Sequence, residues 1–533
     1  MIFILHRYLF KELMRQFVLA TLALTLMVSV GLLVPIIRDY GVSPGQIISL
    51  IGYFLPITLT FVMPISALFA SAMAYGRFAA DRELDACRAS GVRFRTLIYP
   101  GLCLALFVAI VNLLLNFYIT PEFIQYTEQS VKADAKQILF RNIQRRGYYE
   151  IPRGSYKIYA ENVLPEQSRL QDVVILDIQN SRVRKMITAR EAKVNIENYD
   201  EHTLVTVQAQ DTMRVDDRSA SSVGTLEVSQ RVRSLLEDNV KFKKIEQLKR
   251  IQADKLSFGP IYDKAVEARA QAALERLGAE IMQTMKEGRD YYRLAGADSY
   301  KEYRLSIGGY TVEGFGRLRL KGPIRLLEID RDRNRIDCRF DSEDGAITLE
   351  GNNIRQRLEL YLDTPRWQRS PEVAGTALQK VVPGVPLPAS VAQGLEPSRL
   401  LTTLAKIKNG HDEVLANPTV DLVVLITTIQ KSLILIDNQI IAEVHSRLVL
   451  GLGCVSLIIT GICLGIRFRG GHVLSAFGAS AIPAAVLIVF ILGGKEMTRN
   501  PDISTAFGVG VMWTGFVVLL FLSAKLYWDQ SRI

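Results

Sequence analysis

Residue types that do chemistry are scarce in this chain of 533 residues, which holds five histidines, five cysteines and three tryptophans. His6, His202, His411, His445 and His472 are scattered, and no H-E-x-x-H spacing makes two of them metal ligands. The G-x-x-x-x-G-K-[ST] phosphate loop is missing: Gly493-Gly494-Lys495 runs into Glu496. No G-x-S-x-G elbow raises a nucleophilic serine. These absences predict a chain with no catalytic residues, metal site or cofactor of its own. Energy-consuming chemistry would have to come from a partner. Cys338 is the lone cysteine of the long polar middle, while Cys87, Cys103, Cys454 and Cys463 lie in or beside apolar runs. A single thiol makes no intrachain bridge, so the middle must rely on a packed core.

Charge is absent from the interiors of six long stretches, at about residues 17–37, 47–75, 97–119, 448–466, 473–494 and 505–527. About 20 residues at 1.5 Å rise cross a ~30 Å hydrocarbon core, and a charge at its centre costs about 2.5–3.5 kcal/mol on insertion scales. The six runs therefore predict six transmembrane helices, three on each side of a large polar region. The first is too long for a cleavable signal, and no small-residue cleavage pattern follows it near Arg38-Asp39-Tyr40-Gly41.

Charge elsewhere sets the orientation. Arg7, Lys11 and Arg15 precede the first run, and Arg77, Arg82, Arg88, Arg93 and Arg95 lie between the second and third. Arg467 and Arg469 join the fourth to the fifth, and Lys525 and Arg532 close the chain. The opposite short loops hold only Arg38, Lys495 and Arg499. The positive-inside bias places both termini in the cytoplasm and the middle domain outside it. The net charge of +10 is thus mostly a topology signal, and no concentrated basic face suggests nucleic acid.

From about 147 the pattern turns to period two. Tyr156, Ile158 and Ala160 alternate with polar residues, as do Val174, Leu176 and Ile178, and Val205, Val207 and Ala209. Leu318 with Leu320, and Leu358, Leu360 and Leu362, repeat the pattern later. Such strands have one buried and one wet face, and turns such as Asp332-Arg333-Asn334 between them suggest a sandwich or jelly roll. Between the strand groups, Val266, Ala270, Ala273, Leu277, Ile281 and Met285 follow helical spacing, with charges on the other faces. That helix docks on the sheet, pairs with a partner or forms a mobile arm. Residues 370–400, with Pro371, Pro383, Pro386, Pro388 and Pro397, read as an irregular linker. A helix from about 418 leads into the fourth run. Its stretch Val423–Ile436 is apolar, but Lys431 and Asp437 argue against a seventh crossing.

The most telling short segment lies between the second and third runs: Asp81-Arg82-Glu83-Leu84-Asp85-Ala86-Cys87-Arg88-Ala89-Ser90-Gly91-Val92. It reads as a short helix stopped by Gly91, since glycine takes the left-handed cap conformation without strain. Leu84 and Cys87 share a face, with Glu83 and Arg88 near its edge. The plain reading is a solvated connector, arginine-rich for topology alone. The sharper one is a rigid lever that docks into a cytoplasmic partner. Further on, Glu443 and Arg447 have the spacing of a helical ion pair, worth a few tenths of a kcal/mol (about 0.2–0.5) on a surface.

With these residues in view, the chain resembles the lipopolysaccharide-export permease family of the LptF/LptG type. Glu83-Leu84, Ala86, Arg88-Ala89 and Gly91-Val92 fit the family's cytoplasmic coupling helix, and Pro100 opens the third span as in the family. Pro56 and Pro64, Asn116 with Pro121, Gly147-Tyr148-Tyr149, and Glu443 with His445 and Arg447 at the start of the fourth span also look similar. The likeness covers about 1–235 and 396–533.

The resemblance implies a membrane α-helical fold with an inserted periplasmic β-jelly roll, here carrying an α/β elaboration. The implied division is 1–120 for three spans, with the coupling helix at about 77–92, and 121–235 for the first jelly-roll part. A helical insertion would follow at 236–310, further strands and a Pro-rich linker at 311–395, a periplasmic helical connector at 396–447, and three spans at 448–533. It implies an inner-membrane permease subunit of an ABC transporter that extracts lipopolysaccharide, or a similar large amphipathic lipid. The partners would be a cytoplasmic ABC ATPase dimer that binds ATP and Mg, a second permease of the family, and a periplasmic bridge protein. Asp81, Glu83, Leu84, Ala86, Cys87, Arg88 and Gly91 would form the ATPase-coupling helix. Glu443, His445 and Arg447 would lie at a lateral gate, and Arg38, beside Asp39, would be the basic residue left to face lipid phosphate. A rival class is a membrane-anchored periplasmic lipid-binding or scaffold protein, which needs no cytoplasmic partner. A lipid-metabolising enzyme is disfavoured by the missing catalytic groups.

Overall fold

The computed structural model of the protein describes residues 2–40, 44–133, 135–150, 156–179, 182–198, 202–216, 219–233, 239–296, 300–313, 316–331, 335–350, 357–370, 373–412, 414–415, 417–468 and 473–532. The turn expected at Asp332-Arg333-Asn334 lies outside these residues. The chain forms two compact units, Met1–Arg250 with Leu435–Ile533, and Ile251–Ile434.

The first unit begins with α1 (Ile2–Tyr40), α2 (Pro44–Ala80), α3 (Glu83–Ala89) and α4 (Phe94–Leu114). A π-helical turn, Leu115–Ile119, then leads into α5 (Thr120–Ala133) and α6 (Ala135–Arg146). The strands β1 (Tyr148–Glu150), β2 (Tyr156–Leu164), β3 (Arg169–Gln179), β4 (Arg182–Asn198), β5 (His202–Asp216) and β6 (Ser219–Arg233) follow, and α7 (Ile245–Ala253) runs on into the second unit. That unit holds α8 (Gly259–Lys286), then β7 (Tyr292–Ala295), β8 (Lys301–Ser306), β9 (Gly309–Glu313), β10 (Arg317–Asp330) and β11 (Arg335–Glu350). It continues with β12 (Arg357–Asp363), β13 (Arg366–Ser370), β14 (Val373–Thr376), β15 (Gln379–Val385), α9 (Ala389–Ala392) and α10 (Leu400–Lys408). The chain ends in α11 (Val420–Arg467), α12 (Val473–Arg499) and α13 (Thr505–Arg532).

Among the described residues, six helices are long and apolar enough to cross a membrane: Phe3–Gly31, Leu55–Ala80, Phe94–Tyr126, Val420–Arg467, Ala481–Arg499 and Thr505–Arg532. They fall on the six runs expected from the sequence. Prolines inside them leave backbone carbonyls without helical donors, and these must find partners where water is absent. Pro64 frees the carbonyl of Thr60, and the fully buried Asn112 of α4 donates to it at 2.8 Å. Thr60 Oγ1 in turn donates to the Pro56 carbonyl at 2.9 Å. Helices α2 and α11 touch backbone to backbone: a Cβ on Gly465 would lie 2.5 Å from the Ala72 carbonyl oxygen. Helix α11 has 48 residues, about 72 Å at 1.5 Å per residue, more than two hydrocarbon thicknesses. Its first turns give Leu422, Ile426 and Ile429 to the core of the second unit. The apolar stretch 423–436 is thereby explained without a seventh crossing.

The first unit's sheet runs β1-β2-β3-β4-β5-β6, antiparallel and in chain order. This is a meander; the described pairings contain none of the crossovers between sheets that make a jelly roll. Leu139, Phe140 and Ile143 of α6 pack on it with Val173, Ile175, Ile187 and Val207. In β3 the buried row is Val173 and Ile175, not the Val174/Leu176 row expected from alternation. Residues 173–176 are all apolar, so period two does not choose between the faces; α6 does.

In the second unit the long strands β10 and β11 change partners along their length. Arg317–Lys321 of β10 pairs with β9 and Arg325–Asp330 with β8, across a register shift at Gly322-Pro323. Gly322 sits at φ +71, a conformation glycine adopts freely. Strand β11 likewise pairs with β13 and then β12. Residues 370–400, expected to be irregular, contain β14, β15 and α9. Pro383 is accommodated because β15 is an edge strand, paired among the described residues with β12 alone. Helix α8 is docked, and on nearly every side: Ala265, Ala268, Ala272, Leu274, Leu277 and Ile281 all join the core. Three of its charged residues, Arg269, Glu275 and Arg276, are buried as well, while Asp263, Glu267 and Lys286 stay exposed. Arg269 donates to the Leu395 carbonyl at 2.9 Å. Arg276 meets Asp412 at 2.5 and 3.0 Å, and Glu275 accepts from the Thr419 amide at 3.0 Å.

Candidate functional site

The bend between the second and third spans is built as the sequence predicts, with one addition. Helix α3 ends in a two-bond C-cap: Val92 N–H donates to the Cys87 carbonyl at 3.1 Å and Gly91 N–H to the Arg88 carbonyl at 2.9 Å. This is the Schellman arrangement, and it needs the left-handed residue that Gly91 supplies at φ +80. Among the described residues no atom lies within 4 Å of a Cβ built on Gly91, so it is the backbone conformation that calls for glycine there. At the other end, Arg82 takes φ 59 and accepts the first helical bond of α3, from Ala86 N–H at 3.1 Å. A side-chain-bearing residue in this region costs about 1–2 kcal/mol. No signal in the sequence marks Arg82 for it.

The coupling residues divide by face. Leu84 is completely buried in a cluster with Leu97, Phe94 and Tyr75, and Cys87 packs against it half-buried. Burial, and then the Glu83 carboxylate, push the Cys87 thiol above its usual range, so it stays protonated. Asp81, Glu83, Ala86 and Gly91 are exposed, as is Arg82; Asp81 lies 3.6 Å from Arg77. Arg88 turns inward. Its guanidinium donates to the Gln530 carbonyl at 3.1 Å and stacks 5.3 Å over the Phe94 ring.

A second cluster gathers around Glu443 and Arg447. The ion pair expected from their spacing exists, at 3.2 Å, but both side chains are buried and the pair is not alone. Lys495 of α12 also donates to Glu443. Arg447 donates to the carbonyls of Lys241 (2.8 Å) and Lys243 (3.2 Å) and lies over the Phe117 ring. Lys241 brings its ammonium to the rings of Phe61 and Phe242, at 5.2 and 5.6 Å. Burial, and then the neighbouring Lys495, hold the Lys241 ammonium below its usual range. His445 points elsewhere, accepting from Trp513 Nε1 at 3.2 Å. Arg38 lies in α1, and its side chain is outside the described residues. Sequence reasoning missed Lys241 and Lys495 as members of this cluster. Lys495 is 52 residues from Glu443, and only the antiparallel packing of α11 and α12 joins them.

These features define a multi-pass membrane protein with an inserted β-rich region and a capped helical bend between two of its spans. The family model for the lipopolysaccharide export system permease LptF/LptG matches residues 7–303, more than half of the chain, and the chain belongs to that family. The match continues past residue 235, stops within β8 and does not reach the second stretch expected to resemble the family, 396–533. No curated relative matches the chain. Family and apolar helices together make this a multi-pass inner-membrane permease for lipopolysaccharide transport.

Proposed function

We propose that the chain is one permease subunit of an ATP-driven machine that lifts lipopolysaccharide, or a closely similar lipid, out of the inner membrane. A cytoplasmic ABC ATPase dimer supplies the energy, a second permease of the family completes the cavity, and a periplasmic bridge takes the lipid onward. In this reading both termini and α3 face the cytoplasm, and the sheets face the periplasm, as the arginine distribution favours. Exposing acyl chains to water costs about 0.8 kcal/mol per CH₂. A continuous apolar slot is therefore needed, and we assign it to the β1–β6 sheet, in the part played by the family's jelly roll. ATP-driven closure would move the lipid by favouring the permease state that binds it less well.

The observation that carries the reading is α3 itself. It is anchored by Leu84, stopped by a two-bond cap, and leaves Arg82, Glu83 and Ala86 exposed for a partner. The test is purification of the intact complex from its native membrane. An ATPase and a second permease should accompany the wild-type chain, and Glu83→Arg should lose the ATPase while keeping the fold. A wild-type chain that purifies without an ATPase, yet still binds the lipid, would support the anchored scaffold instead.

A further inference from the structure

The last four carbonyls of a helix have no partner within it. In α13 one of these is the carbonyl of Gln530, and its donor comes from far away in sequence: Arg88, at 3.1 Å. A cation there also meets the negative end of the helix dipole. The contact is part of a packed joint. Gln530 and Phe94 are each 8 % exposed. The Arg88 guanidinium lies 5.3 Å from the Phe94 ring, and Phe94 in turn lies 5.8 Å from the Tyr527 ring of α13. Leu84, Cys87, Val92 and Tyr527 all share one apolar cluster. Helix α3 therefore presents Glu83 and Ala86 outward while Arg88, on its inner side, caps another helix.

We propose that Arg88 is a positioning residue that joins the coupling helix to the last span, so that α3 and α13 move as one body. A push on the outer face of α3 then passes through the guanidinium and the Phe94–Tyr527 pair into α13, and not only into α2 and α4, which adjoin α3 in the chain. Arg88 is on this account an internal joint and makes no contact with the ATPase. The transmission of the push rests on the permease reading above; the joint itself does not.

The experiment uses the full-length chain in lipid nanodiscs, with spin labels at Ser90→Cys and Ser531→Cys and with Cys87 and Cys103 replaced by serine. A narrow distance distribution is expected, broadened by Arg88→Gln and narrowed again by Arg88→Lys, which keeps a cationic donor. In the complex, Arg88→Gln should keep the ATPase bound and hydrolysing while lipid released per ATP falls several-fold, with Arg88→Lys recovering most of it. Three results would overturn the proposal: an unbroadened distribution in Arg88→Gln, loss of the ATPase on that substitution, or unchanged lipid release per ATP. If no ATPase accompanies even the wild-type chain, the permease reading falls, and the label distances alone decide whether the joint exists.

Discussion

In the second unit, Arg276 faces Asp412 in a two-point contact and donates again to the carbonyls of Val391 and Gln393. In the first unit, Glu443 is shared between Arg447 of its own helix and Lys495 of the next, with Lys241 beside them. Both clusters are buried, but the first is balanced in charge and the second has more cations than its one carboxylate neutralises. A balanced pair fixes loops on a helix and has one arrangement. A carboxylate shared between cations on two helices can be redistributed when those helices shift, and α11 and α12 both carry apolar spans. The contrast separates an ionic lock from a cluster suited to a moving part.

The largest expected effect comes from breaking the lock. Asp412→Ala leaves the Arg276 guanidinium buried, its side chain 4 % exposed, without an opposite charge. Removing one partner of such a pair costs about 3–5 kcal/mol. Thermal unfolding of the detergent-solubilised chain should show a large loss, and Arg276→Met with Asp412→Leu should regain most of it. A single mutant that melts like the wild type would show the pair to be dispensable and the comparison empty.

The sequence made some of this architecture readable. The six runs, the Gly91 stop and the Glu443/Arg447 spacing are local patterns, and each has its expected counterpart in the fold. What escaped depends on neighbours distant in the chain. Glu275 and Arg276 on α8 looked solvated because nothing local announces that Thr419 and Asp412 come back to cover them. Alternation misjudged the face of β3 because both its rows are apolar. Arg88 was expected only at the edge of its helix, and nothing local announces its bond to the carbonyl of Gln530, 442 residues away.

An intermediate effect is expected from the unbalanced cluster. Glu443→Gln removes the charge opposite Arg447 and Lys495 but keeps a side-chain amide oxygen as an acceptor for them, whereas Asp412→Ala leaves Arg276 no side-chain acceptor in that place. The loss should be about 2–3 kcal/mol, at or below the low end for a broken buried pair. Lys495→Met in the same background should restore part of it. Lipid release should fall in Glu443→Gln even at temperatures where the fold persists, whereas Asp412→Ala should follow its stability alone. Equal behaviour of the two mutants would erase the distinction between lock and moving part.

The smallest effect is a slope in pH. Burial and the nearby Lys495 lower the Lys241 pKa in the folded protein from an ordinary 10.5. Between the lowered value and 10.5 the unfolded chain holds a proton that the folded chain has released, so stability rises with pH across that window. Below the window both states are charged, and the folded protein carries the full penalty of an ammonium among cations. Lys241→Met removes the group, so the variant should melt higher than the wild type at neutral pH, and the difference should shrink as pH rises toward 10.5. Melting curves that stay parallel from pH 7 to 10.5 would mean that the excess positive charge around Glu443 is already neutralised, which would remove the asymmetry on which the comparison rests.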